Sequence, residues 1–289
     1  MPELPEVETI VQDLKKKILN KKIVSTQVLL KKMVKERTLK SFQQGLGGRE
    51  LVDISRRGKL IIFTLSGKKE FLLVHLKMTG QLIYKAHNQL IIGGHSDEKI
   101  NTHEAYQRYI HVIIQFEDLS ELFFSDQRQF GYLKIVSGAE YKKILSKFGY
   151  EPLEPGFNLK KFKEILKNRK RNIKALLLDQ SLIAGIGNIY ADEILFAARV
   201  LPSRQSDTLT STEIRDLHRH TRRILKKAIK YRGTTFNSYV DSDGQQGHFK
   251  KMLLVYQREG EICFNCQKEK IKKNKIAGRG TRFCPLCQH

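Results

Sequence analysis

Pro2, Glu3 and Glu6, all within the opening Met1-Pro2-Glu3-Leu4-Pro5-Glu6, are residue types that can do chemistry. With Met1 removed, Pro2 presents a free secondary amine; with Met1 attached it has none. A terminal amine has a pKa of about 7.7–8.0 against about 10.4 for lysine, so far more of it is neutral at neutral pH. A neutral amine forms Schiff bases with electrophilic carbon, and the glutamates are candidate proton carriers. By spacing alone, the same residues also suit an unstructured lead-in to a capped helix.

An element must hold that terminus. Pro5 suits the first turn of a helix. Val7, Ile10, Val11, Leu14 and Ile18 follow at helical spacing. The amine would therefore lie at the positive end of a helix docked by one apolar face. Short β-rich runs come next, at 23–30, 49–55, 60–65, 70–76, 81–84, 109–116, 121–125 and 132–136. With no helices expected between them, they predict an antiparallel sandwich or barrel. The polar stretch 85–107 reads as a long mobile loop. From Glu140 the pattern turns helical. It predicts helices over 141–148, after Asn158, from 174, over 189–198, and from a Thr210/Glu213 capping box. Glu151–Gly156 reads as the linker.

The last 27 residues hold all four cysteines, as Cys263-x2-Cys266 and Cys284-x2-Cys287. This spacing suits a four-thiolate zinc site, structural because no coordination position stays open. Two disulfides are the alternative.

Lys+Arg outnumber Asp+Glu 53 to 30, a formal charge of +23. Solubility needs only about 2–8 charges, so the excess points to a polyanion, nucleic acid or an anionic membrane. No stretch approaches the roughly 18 apolar residues of a membrane span, and no apolar signal segment opens the chain. The expected location is the cytoplasm.

The run PELPEVETI resembles the start of the formamidopyrimidine-DNA glycosylases, bacterial base-excision repair enzymes, and the likeness recurs in order along the chain. Ser55-Arg56-Arg57-Gly58-Lys59 is similar to the segment whose lysine donates a proton during strand cleavage and touches phosphate. His75-Leu76-Lys77-Met78-Thr79-Gly80 resembles HLGMTG, with Lys77 in place of glycine. Its His contacts phosphate and its Met fills the hole left by the extruded base. Asp126-Gln127-Arg128-Gln129-Phe130-Gly131 resembles DPRRFG, whose Arg and Phe wedge into the duplex; Gln127 and Gln129 depart from it. Arg108-Tyr109-Ile110-His111 keeps only the second His of a Lys-His-x-His start. Residues 167–171, with Arg169 and Lys170, fit a basic loop near the lesion. Residues 178–193 follow the helix-two-turns-helix motif, with Asn188 at the phosphate. Residues 233–247 are similar to a loop that closes over an oxidised purine. Arg279, in Ala277–Thr281, matches an arginine that grips phosphate and assists the last elimination.

The resemblance implies an α+β chain. A β-sandwich with a leading helix occupies 2–136 and a linker 137–157. A helix-two-turns-helix domain covers 158–250, and a zinc finger 251–289. It implies a monomeric glycosylase and abasic-site lyase acting on 8-oxoguanine and formamidopyrimidines in duplex DNA. Pro2, Glu3, Glu6, Lys59 and Arg279 would do the chemistry. His75, Met78, His111, Arg128, Phe130, Arg169, Lys170 and Asn188 would hold the DNA, with one structural zinc. Competing readings are an endonuclease VIII-type enzyme for oxidised pyrimidines, a non-catalytic DNA clamp, and an RNA-binding zinc protein.

Overall fold

The computed structural model describes residues 1–86, 89–94, 107–234 and 249–289. The chain divides into two compact units, Met1–Ser146 with Tyr231–Lys250, and Lys147–Lys230 with Lys251–His289. The first unit thus draws in a late segment that the sequence places with the helical domain.

In the first unit, helix α1 (Leu4–Ile18) begins at Glu3 and buries Val7, Ile10, Val11, Leu14 and Ile18. Its period-3.6 stripe faces one core, as the spacing requires. Among the described residues, nine strands form two antiparallel sheets. The strands are β1 (Ile23–Val28), β2 (Leu51–Arg57), β3 (Leu60–Leu65), β4 (Glu70–His75), β5 (Gly80–Ala86), β6 (Gln89–Gly94), β7 (Ile110–Phe116), β8 (Glu121–Asp126) and β9 (Tyr132–Ser137). One sheet runs β1-β7-β8-β5-β6 and the other β2-β3-β4-β9. Their inner faces share a core with α1, including Phe63, Leu72 and Val74 from one sheet and Leu82, Val112 and Phe124 from the other. This is the sandwich arrangement of two half-buried sheets.

Two expectations need correction. The stretch 85–107 is not all loop, because Gln89–Gly94 pairs with β5 from Gln81↔Gly94 to Ala86↔Gln89. Gly93 read as a turn signal, but it serves a close approach: a Cβ there would lie 2.8 Å from Cγ1 of Ile10 on α1. Nor are the strands free of intervening helices. Helix α2 (Leu39–Leu46) stands between β1 and β2, capped by Thr38 and burying Phe42 and Leu46. Helix α3 (Gly138–Leu145) starts three residues before the predicted 141, where Ser137 and Glu140 form a capping box.

In the second unit, α4 (Leu159–Leu166) is capped by Asn158, whose side chain accepts Lys161 N–H at 2.9 Å. Helices α5 (Ile173–Leu178), α6 (Asn188–Ala197) and α7 (Ser211–Lys230) follow. Thr210 and Glu213 make the expected capping box on α7. Strands β10 (Lys272–Ile276) and β11 (Arg279–Phe283) form a hairpin. Its two-residue turn, Ala277-Gly278, has φ of 48° and 74°, the both-positive pattern of a type I′ turn. Among the described residues no helix is long and apolar enough to cross a membrane.

Candidate functional site

The first unit brings the chain's opening residues under tight control. Pro2, Glu3 and Glu6 are all buried, Glu3 to 2% exposure, while Met1 is exposed. Glu3 N–H donates to Glu6 Oε2 at 2.9 Å. The other oxygen, Oε1, accepts Thr234 N–H at 2.8 Å and its hydroxyl at 3.1 Å. Gly233 makes that return possible. Its φ is +77°, and a Cβ there would lie 2.5 Å from Glu6 Oε1. About two turns further along α1, Asp13 pairs with Arg232. Sequence alone joins none of these partners, which lie 228 residues apart for Glu6 and Thr234. Of the 233–247 loop, residues 235–247 fall outside the described residues.

Lys59 sits in the β2–β3 turn, 7% exposed, after Gly58 at φ +56°. Arg56 of the same turn pairs with Glu8 of α1 at 2.6 Å, tying the turn to the helix that carries Pro2. His75 ends β4, opposite Leu60 on one side and Tyr132 on the other. Its Nδ1 accepts Lys77 N–H at 3.0 Å, which leaves the ring proton on Nε2. Burial, then the charges of Lys77 and Lys59, push its pKa down to about 3. His75 is thus a neutral donor with two cations near it. Lys77 occupies the left-handed region at φ +51°, its ammonium 5.9 Å from the Tyr132 ring centre. This strained position explains why the family pattern favours glycine there. The turn still closes, because Gly80 N–H donates to Leu76 C=O at 2.9 Å.

Met78, Arg128 and Phe130 are gathered by a residue to which sequence reasoning assigned no role. Asp126 is fully buried. Its Oδ1 accepts the Thr79 hydroxyl, and its Oδ2 accepts Gly131 N–H at 2.7 Å. Thr79 in turn accepts Arg128 N–H at 3.0 Å. One carboxylate therefore joins the loop bearing Met78 to the loop bearing Arg128 and Phe130. Gln129 takes the turn's left-handed position at φ +56°. Met78 is 37% and Phe130 56% exposed. The Arg128 guanidinium lies 5.0 Å from the Phe130 ring centre. His111 is buried and its Nε2 bonds Asp126 C=O at 2.8 Å. It supports this loop from behind instead of offering a surface. The one local signal for Asp126 is the Asp-x4-Gly spacing, which lets its carboxylate close the turn on Gly131 N–H.

The second unit has its own cluster. The turn before α6 is built by Gln180, whose Oε1 accepts Gly185 N–H at 2.8 Å while its Nε2 donates to Ile186 C=O at 2.8 Å. Gly187 then caps α6, whose N-terminus is the positive end of the helix dipole. Asn188 Nδ2 donates to Gly280 C=O at 3.0 Å, with a second N–H to spare. Lys174 of α5 and Asp192 of α6, both wholly buried, pair at 2.7 Å. Lys174 also donates to Thr281 Oγ1 at 2.8 Å, and Thr281 to Arg279 C=O at 3.0 Å. Asp192 accepts Arg282 N–H at 3.0 Å. This chain of bonds fixes the hairpin whose turn presents Arg279, itself exposed. Burial pushes the Asp192 pKa up to about 6 against the pull of Lys174. Lys170 is exposed, whereas Arg169 donates to Ile165 C=O at 2.8 Å and so caps α4.

The four cysteine sulfurs lie within 4.8 Å of one another. Cys263–Cys287 and Cys266–Cys284 are 3.8 and 3.7 Å apart. A tetrahedron with Zn–S bonds of about 2.3 Å has edges of about 3.8 Å, so the donors fit a single ion. A disulfide needs about 2.05 Å, which replaces the alternative of two bridges. Asn265 Nδ2 points at Cys287 Sγ at 3.2 Å, a donor suited to a thiolate.

Residues 1–133 match the formamidopyrimidine-DNA glycosylase N-terminal domain, and residues 148–240 the H2TH domain of the same enzymes. The formamidopyrimidine-DNA glycosylase of Carboxydothermus hydrogenoformans is 42% identical over 288 residues, covering all of both chains. That of Pelotomaculum thermopropionicum is 40% identical over 290 residues, covering 100% of this chain and 99% of its own. Among solved structures, a Lactococcus lactis mutant enzyme in complex with Fapy-dG-containing DNA superposes with a TM-score of 0.86. It is 35% identical with full coverage of both chains. A complex of the Lactococcus enzyme with abasic-site DNA gives 0.84 at 34% identity, covering 99% of each.

Two outcomes are expected from this geometry. The His75 ring should not titrate between pH 5 and 8 in the folded protein, as read by its ring-proton NMR shift. Its depressed pKa adds stability above the unfolded value near 6.5, lost as pH falls toward 3. A ring titrating near 6.5 would contradict this. Asp126→Ala should cost about 2–4 kcal/mol in urea unfolding, since a buried N–H and a hydroxyl lose their acceptor. An unchanged midpoint would show that the two loops are held by other means.

Proposed function

The chain belongs to the formamidopyrimidine-DNA glycosylase family, and from that membership we propose that it excises oxidised purines through Pro2 and then nicks the strand. The observation that carries the reading is the buried Pro2-Glu3-Glu6 terminus, its backbone locked by the Glu6 carboxylate. The Pro2 nitrogen, freed of Met1, attacks C1′ of the damaged nucleotide. The glycosidic bond breaks and the base leaves. Glu3 protonates the sugar oxygen as the ring opens, leaving an iminium between Pro2 and C1′. Glu6 is a positioning residue, since its oxygens are occupied by Glu3 N–H and Thr234. Lys59 and then Arg279 assist the β- and δ-eliminations that break the C3′–O and C5′–O bonds. Hydrolysis of the iminium returns the amine.

The substrate is duplex DNA carrying 8-oxoguanine or formamidopyrimidines, with abasic sites as intermediates. Reaching the base requires its extrusion from the stack. Met78, Arg128 and Phe130 suit that task as exposed wedges on a carboxylate-braced mount. Neutral His75 offers Nε2–H to a phosphate, while Lys59, Lys170, Arg279 and Asn188 add donors. His111 and Arg169 serve these contacts indirectly, through the bonds they make within the protein. The protein works as a monomer in the cytoplasm. The four cysteines hold one zinc ion, which supplies folding energy to the hairpin module and takes no part in the reaction.

Borohydride trapping tests the mechanism. Demethionylated protein, verified by intact mass, should become covalently linked to an 8-oxoguanine duplex, with less reaction on thymine glycol. Pro2→Gly should give far less adduct, and Glu3→Gln should slow base release by about 10²–10⁴. Cleavage by demethionylated protein with no trapped adduct would rule the scheme out. For the metal, elemental analysis should find one zinc per chain. Chelation should unfold the hairpin module and abolish duplex binding; retention of both without metal would refute the structural role.

A further inference from the structure

Helix α7 carries more positive charge than its own packing uses. Its 20 residues hold seven Lys or Arg and two carboxylates. Both carboxylates are engaged: Glu213 with Arg204 at 3.1 Å and Asp216 with Arg219 at 2.8 Å. One cation has a clear internal task. Arg222 donates to the carbonyls of Pro152, Leu153 and Glu154 at 2.8–3.2 Å, clamping the linker onto the helix. The others, Arg215, Arg219, Arg223, Lys226, Lys227 and Lys230, are all exposed. At 100° per residue they occupy one arc of about 120°. At 1.5 Å per residue the stripe runs about 22 Å along the axis. The opposite face, with Leu217, His220, Thr221, Leu225 and Ala228, is buried in the unit.

Such a face is costly by itself. Arg215–Arg219, Arg219–Arg223, Arg223–Lys227 and Lys226–Lys230 are like-charge pairs at i,i+4, each of which destabilises a helix. The C-terminal dipole offsets Lys227 and Lys230, but Arg215 and Arg223 lie upstream of the last turn. Among the described residues no carboxylate pairs with Arg215, Arg223, Lys226, Lys227 or Lys230. None of the six is among the residues placed at the lesion above. We infer that this stripe is a second polyanion-binding surface that grips the phosphate backbone of duplex nucleic acid, separately from the site at Pro2. A duplex presents a negative charge every ~1.7 Å of axis, so a stripe of this length meets many at once. A membrane surface is the poorer fit. Interfacial helices insert their apolar face, and that face of α7 is already buried.

The test uses the full-length protein saturated with an unlabelled duplex bearing a tetrahydrofuran abasic analogue, titrated with a labelled undamaged duplex. Wild type should bind the second duplex with steep salt dependence. A variant with Arg215→Gln, Arg223→Gln, Lys226→Gln and Lys227→Gln should bind it about tenfold or more weakly, with a salt slope shallower by about 3–4. A charge-keeping variant, with Arg215→Lys, Arg223→Lys, Lys226→Arg and Lys227→Arg, should retain binding, which separates lost charge from a damaged helix. Single-turnover excision from a short lesion duplex should be the same in all three. The inference is overturned if wild type takes up no second duplex, if the Gln variant takes it up equally, or if anionic vesicles are bound in its place.

Discussion

The Glu6 carboxylate holds the opening residues of the chain in place. Its two oxygens accept Glu3 N–H, Thr234 N–H and the Thr234 hydroxyl. Charge-assisted bonds of this kind are worth about 1.5–3 kcal/mol each. A chain terminus would ordinarily fray. Here the residue after Pro2 is fixed by a bond inside the helix it begins, and that bond's acceptor is fixed by a segment from far along the sequence. Everything proposed for Pro2 needs this, because an amine that wanders has no defined line of attack.

The same device recurs elsewhere. Asp126 gathers two loops with one carboxylate. Glu193 accepts three consecutive N–H groups, from Leu254, Val255 and Tyr256, although burial pushes its pKa up. Asp192, with Lys174, anchors the hairpin that presents Arg279. Each is a buried carboxyl group that accepts backbone N–H groups, and for Asp126 and Glu193 these lie on irregular segments, which have no ladder to satisfy them. Loops carry the exposed side chains of the site, and buried carboxylates give those loops the rigidity of strands.

Much of the fold is legible in the sequence. β3 was expected at 60–65 and lies there, and α1 follows its apolar stripe. These elements bury a simple periodic face, so local pattern and tertiary demand agree. β6 was hidden because Leu90-Ile91-Ile92 is short and ends in Gly93-Gly94, and only the neighbouring Ile10 explains the first of those glycines. The site divides in the same way. The residue types proposed to meet DNA could be named from motif likeness, whereas their supports could not. Asp126, Thr234 and Lys174 act through partners 47, 228 and 107 residues away. Nor does likeness reveal that His111 Nε2 and Arg169 Nη1 each bond a carbonyl of their own chain. Lys77 and Gln129, which depart from the likeness, each take a left-handed turn position, and the turn bonds Gly80 N–H to Leu76 C=O and Gln129 N–H to Asp126 C=O are both made.

The long reach from Glu6 to Thr234 also sets a schedule for biosynthesis. At roughly 5–20 residues per second, a ribosome needs on the order of 10–50 s to make the intervening chain. During that interval the first unit lacks its closing segment, and the nascent N-terminus stays open to an aminopeptidase. Once the unit is complete, Pro2 is buried and only Met1 protrudes.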